Sequence, residues 1–110
     1  MRVVDKRREP FTRFIGRGSP FGNPFTHIPL HMTAAAVEVG SVTEAVQCFE
    51  EWARGSQKWA HIWPDRREKL LEEIAKLKED DVLGCYGCKP CCHGDVIIQL
   101  WNEAHNAEIH

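Results

Sequence analysis

Short apolar runs of strand type open this chain, and longer runs at helical spacing fill its middle and end. Met1–Val4 and Phe11–Ile15 are β-like and are separated by the charged Asp5-Lys6-Arg7-Arg8-Glu9-Pro10, which reads as a turn. An antiparallel hairpin or two adjacent sheet strands is the expectation there. From Gly16 to Pro29, Gly16, Gly18, Pro20, Gly22, Pro24 and Pro29 crowd so closely that neither a helix nor a regular central strand persists. Phe21 and Phe25 within that stretch are too apolar for solvent, so the pattern predicts a shaped loop packed down on the domain.

Ser41 followed by Glu44 is a capping-box pattern. Ala45, Val46, Phe49, Trp52 and Ala53 then recur at helical spacing until Gly55 supplies a stop. A second helix begins near Pro64 or Asp65, with Leu70, Leu71, Ile74 and Leu77 on one face and Arg66, Arg67, Glu72, Glu73 and Lys76 on a solvated one. Val82–Tyr86 reads as a buried strand, and a last helix from Gly94 or Asp95 carries Val96, Ile97, Leu100, Trp101 and Ala104. Of the four tryptophans, three are assigned to the core, and Cys48 beside Phe49 reads as a core thiol. Together these elements predict a single small α/β domain spanning 1–110, with a short sheet flanked by about three helices.

At 110 residues the chain suits one domain and holds a core without disulfides. The cysteine count is five, which is odd; no N-terminal apolar run resembles a signal peptide, and no apolar stretch approaches a membrane span. A cytoplasmic protein with no membrane partner is therefore expected. A formal net charge of −2 gives no overall drive toward nucleic acid, although charge is unevenly placed along the chain.

Chemistry concentrates in Cys85-Tyr86-Gly87-Cys88-Lys89-Pro90-Cys91-Cys92-His93-Gly94-Asp95, between a strand and a helix N-terminus. Loops leaving the carboxyl ends of strands form the ligand crevice of open α/β sheets, and a helix start favours a thiolate, phosphate or carboxylate. Two functional readings stand side by side. In the metal reading, Cys85 and Cys88 form half of a tetrahedral zinc site, and Cys91 or Cys92 with His93 completes it. In the thiol reading, Cys92 at the helix start is a nucleophile or redox centre with His93 as base and Asp95 nearby. A plainer alternative makes Cys85 and Cys88 small buried residues, with His93 and Asp95 capping the helix.

The loop Gly16-Arg17-Gly18-Ser19 follows a strand and can present amides and a guanidinium to a phosphate or carboxylate, making Arg17, Gly18, Ser19 and Asn23 ligand-binding candidates. It matches neither a Walker A loop nor a full dinucleotide fingerprint, and its prolines and glycines also serve to fold Phe21 and Phe25 inward.

Two motifs carry a resemblance. Phe14-Ile15-Gly16-Arg17-Gly18-Ser19-Pro20-Phe21-Gly22-Asn23-Pro24-Phe25, and Cys88-Lys89-Pro90 followed by Cys92-His93-Gly94-Asp95-Val96-Ile97, resemble the DUF4326 family of small proteins of unknown function from bacteriophage and bacterial genomes. The family pattern commonly runs Cys-x-Cys before the Lys-Pro, whereas this chain has Cys85-x-x-Cys88 and an additional Cys91. The resemblance implies a compact α/β domain and a phage or bacterial setting, and brings no activity with it. It also implies that the two loops meet, so that Arg17, Asn23, Cys92, His93 and Asp95 line one pocket. The expected function is binding of a small anionic or nucleotide-like ligand, either as a binding protein or as an enzyme on a phosphorylated substrate. The competing expectation is a structural zinc adaptor that interacts with a host or phage protein, using an exposed tryptophan patch around Trp59-Ala60-His61-Ile62-Trp63.

Overall fold

The structure is a computed structural model that describes residues 1–85 and 93–109, with side chains through residue 106. Three strands form the main sheet, in the order β1 (Arg2–Asp5), β5 (Val82–Cys85), β2 (Arg13–Phe14). Both outer strands run parallel to β5: Arg2 lies opposite Val82 and Asp5 opposite Cys85 on one side, and Phe14 lies opposite Gly84 on the other. The two N-terminal strands are therefore neither a hairpin nor neighbours, because β5 is inserted between them.

Two parallel strands cannot be joined by a tight turn, and residues 6–12 make the return. They pass over one face of the sheet, where the Phe11 ring lies on Gly84; a Cβ there would come within 2.6 Å of that ring. Because side chains alternate along a strand, Val4, Gly84 and Phe14 form this outer face, and Val3, Leu83, Cys85 and Ile15 point to the other. The inner face shares one core with all three helices.

The glycine- and proline-rich loop packs down as its phenylalanines require, with Phe21 3% and Phe25 0% exposed. Within it Phe25–Thr26 (β3) pairs in parallel with Val37–Glu38 (β4), a small second sheet that the loop composition conceals. Asn23 makes the turn by accepting the Phe25 N–H at 2.8 Å, and its amide donates to the Ala45 carbonyl at 3.2 Å, tying the loop to the first helix.

That helix, α1 (Val42–Ala53), starts where Ser41 Oγ accepts the Glu44 N–H at 3.1 Å, while Glu44 reaches back to the Gly40 N–H at 2.9 Å. It stops at Gly55, whose φ of +88° is the left-handed conformation that glycine adopts without strain. Gly55 also leaves room for the Arg67 guanidinium, which donates to the carbonyls of Trp52 and Ala53 at 2.9 and 3.0 Å. Arg67, which the charge pattern places on a solvated face, thus caps the carboxyl end of α1.

The second helix, α2 (Pro64–Ala75), begins with proline in its first turn and buries Leu70 and Ile74, with Leu77 buried just beyond it. Leu71 is 38% exposed, one step around the helix from the buried stripe, and does not join the core face expected of it. The third, α3 (His93–Ile109), buries Val96 and Ile97 and is joined to α1 by Arg54, whose two terminal nitrogens meet the Glu103 carboxylate at 2.8 Å each. Trp52 is fully inside, whereas Trp59, Trp63 and Trp101 are half-buried against the core. No helix among the described residues is long and apolar enough to cross a membrane.

Candidate functional site

Parallel alignment brings the carboxyl ends of β1, β2 and β5 to one edge of the sheet. The Gly-Arg loop leaves β2 at that edge, and the chain returns to it as α3 begins at His93. His93 is 7% exposed, and its Nε2 lies 2.7 Å from the Ile15 carbonyl. A carbonyl oxygen only accepts, so the proton is on Nε2 and the lone pair of the neutral ring is on Nδ1. The ring also stands edge-on to Phe49 of α1, with centroids 5.1 Å apart. Next to it, Gly94 allows the helix start to sit directly on the sheet: a Cβ there would come within 2.7 Å of Val3 and 2.8 Å of Ile15.

Burial pushes the His93 pKa down to about 4. The Ile15 carbonyl opposes this by favouring the charged ring, the Arg17 charge adds to it, and the Phe21 carbonyl and Asp95 oppose it more weakly. His93 is therefore neutral at pH 7. A neutral imidazole whose tautomer is fixed by a backbone carbonyl is in the state a metal ligand requires. It is also a rigid joint between the two sequence motifs.

The four candidates of the Gly-Arg loop have distinct surroundings. Arg17 is half-buried and donates from Nη2 to the Phe25 carbonyl at 2.8 Å. Ser19 Oγ donates to the Gly16 carbonyl at 2.6 Å and accepts the Phe21 N–H at 3.3 Å, so its hydroxyl shapes the turn. Asn23 is buried, with both ends of its amide engaged as described above. Gly18 is exposed with φ +96°, and the space where a Cβ would point is open.

Gly18, Ser19 and Pro20 face Arg66 and Lys69 of α2 across a hollow of about 260 Å³. Arg66 donates to the Ser19 carbonyl at 3.3 Å and lies over the Trp63 ring at 4.8 Å, which fixes its position. Lys69 is paired with Glu73 at 3.2 Å. The charge pattern alone places Arg66 in a solvated run; only its position in the first turn of α2, after a tryptophan on which it can stack, hints at more.

Cys85 is buried on the inner face at the end of β5. Cys88, Cys91 and Cys92 lie outside the described residues, so of the proposed zinc set only Cys85 and His93 are placed. No cluster of three or more His, Cys, Asp or Glu side chains suited to a metal occurs among the described residues. Asp95 is exposed on the first turn of α3. Cys48 is a core thiol, as expected, and burial raises its pKa, with Glu51 and Glu44 adding to the rise.

Thus the structure joins the Ile15-Gly16-Arg17 turn to His93, leaves Asp95 at the surface of the same helix start, and turns Asn23 toward α1. No curated protein and no solved structure matches the chain. A family model described as a domain of unknown function, DUF4326, matches residues 2–103, nearly the whole chain with both motifs inside it, and the protein belongs to that family.

Proposed function

We propose that this protein binds a small anionic ligand, nucleotide-like or phosphorylated, at the carboxyl edge of its parallel sheet. The observation that carries this reading is the hydrogen bond from His93 to Ile15, which unites the two motifs where open α/β sheets take their ligands. Arg17 supplies the cation there, and the exposed Gly18 turn with Arg66 supplies a backbone and guanidinium wall. In the enzymatic form of this reading Cys92 is the nucleophile and His93 holds the loop. The setting is a bacterial or phage protein of the cytoplasm.

A second reading, a zinc-binding adaptor for a host or phage protein, draws on the neutral state of His93, the protonation state that a metal ligand needs. Cys85, Cys88 and Cys92 would complete the set.

Thermal melts with ATP, ADP and inorganic phosphate separate the two, run beside metal analysis of protein purified without chelator. Ligand at about a hundred times its dissociation constant stabilises by about 2.7 kcal/mol, an easily measured rise in melting temperature. Arg17→Lys keeps the charge but loses the planar fork, and should weaken binding by about tenfold. No shift with any of the three probes, together with one zinc per chain whose removal lowers the melting temperature, would favour the adaptor. Metal-free protein with an unchanged melt in chelator rules out structural zinc.

A further inference from the structure

We propose that the outer face of the three-stranded sheet binds single-stranded nucleic acid. Although the chain as a whole is acidic, residues 1–20 contain six Lys and Arg against two Asp and Glu, and the other ninety contain eight against fourteen. Of the cations in residues 1–20, Arg2, Lys6, Arg7 and Arg8 lie on β1 and the crossover, whereas Arg13 reaches Glu73 of α2 and Arg17 bonds the Phe25 carbonyl, so the basic charge at this face comes from β1 and the crossover.

Two aromatic rings lie on that face. Phe11 is 39% exposed over Gly84, and its centroid is 6.5 Å from that of Phe14, at a tilt of 51°. Gly84 matters here because any larger residue would push Phe11 off the strand. The Lys6 ammonium lies over the Phe14 ring at 4.8 Å. Arg2 shares the face with Val4 and reaches Glu9 of the crossover at 3.3 Å. Arg8, at the crossover's turn, is exposed and forms no ion pair among the described residues.

Aromatic rings beside cations, on the face that the crossover covers, are the elements that hold a single strand: bases stack on exposed ring surface such as that of Phe11, and the ammonium and guanidinium groups follow the phosphates. A duplex hides the base faces that Phe11 and Phe14 would meet. This surface lies across the sheet from the helices and does not depend on the ligand proposed for the carboxyl edge.

Fluorescence anisotropy of the full chain with a labelled oligothymidylate of about ten nucleotides tests the proposal. With three cations engaged, the logarithmic salt slope is roughly −2, so affinity falls by more than tenfold between 50 and 200 mM salt. Arg8→Glu, an exposed change, should weaken binding by about tenfold or more. Phe11→Ala should weaken it similarly, and Phe11→Trp should restore it, with melts confirming that each variant is folded. Absence of binding at low salt, or binding indifferent to Arg8→Glu, overturns the proposal. Equal affinity for duplex or heparin, with Phe11→Ala unaffected, reduces the effect to polyanion attraction and overturns it too. Displacement of the oligonucleotide by millimolar ATP would locate it at the carboxyl edge and not on this face.

Discussion

Truncating Phe49 to alanine should lower the stability of the fold by about 3–5 kcal/mol, the range for a fully buried aromatic side chain. Phe49 has no exposed surface. It touches Trp52 with ring centroids 5.9 Å apart and meets the His93 ring edge-on at 5.1 Å, so its removal leaves a cavity between α1 and the start of α3. For a domain whose total stability is about 5–15 kcal/mol, this is a loss of roughly a fifth or more. The melting temperature should fall by on the order of 20 °C. Phe49→Leu, which refills most of the space, should lose much less. Urea unfolding of both variants decides the matter. A loss below about 1 kcal/mol for the alanine variant would mean that the neighbours collapse into the space.

The helices were legible because their signals are local. Ser41 and Glu44 lie three residues apart and cap the same turn, Gly55 ends it, and Leu70, Ile74 and Leu77 follow the period of a helix that buries one stripe. The sheet was legible only in part. The alternation of Val3 and Val4 marks a strand but says nothing of its partner, and the partner, β5, lies some eighty residues along the chain. The crossover is invisible for the same reason, since what lets residues 6–12 lie on the sheet is the absence of a side chain at Gly84.

At the site, residue types announced the chemistry and three-dimensional burial assigned the roles. Asn23 reads like a ligand-facing amide, yet its position beneath α1 uses both ends within the fold. His93 reads as a base or a ligand, and the atom that sets its tautomer is the backbone oxygen of Ile15, which has no sequence signature. Arg66 and Arg67 are adjacent in a charge run, but one lies over Trp63 beside the Ser19 carbonyl and the other caps α1. Charge patterning cannot distinguish them because a helix points neighbouring residues about 100° apart.

Acid should weaken the metal-free protein well before its carboxylates titrate. The folded-state pKa of His93, near 4, lies below its ordinary value of 6.5, so the unfolded chain takes up a proton that the folded chain refuses. The contribution is fully present above pH 6.5 and is lost as pH falls from there toward 4, reaching about 3 kcal/mol at the end of that window. Burial is the main cause; Arg17 reinforces it, and the Ile15 and Phe21 carbonyls and Asp95 act against it. Asp81 enters lower on the scale. Burial raises its pKa, but the Thr12 hydroxyl and the Lys78 N–H, each at 2.7 Å, outweigh that and hold it below 3.8, so its contribution disappears only in stronger acid. Denaturant unfolding of chelator-treated protein at stepped pH should therefore show a steep loss between 6.5 and 5 that His93→Gln, which still donates to Ile15 but does not titrate, largely removes. Equal slopes in the two proteins would mean that the imidazole is solvated, and the joint between the two motifs would then be looser than the 2.7 Å contact implies.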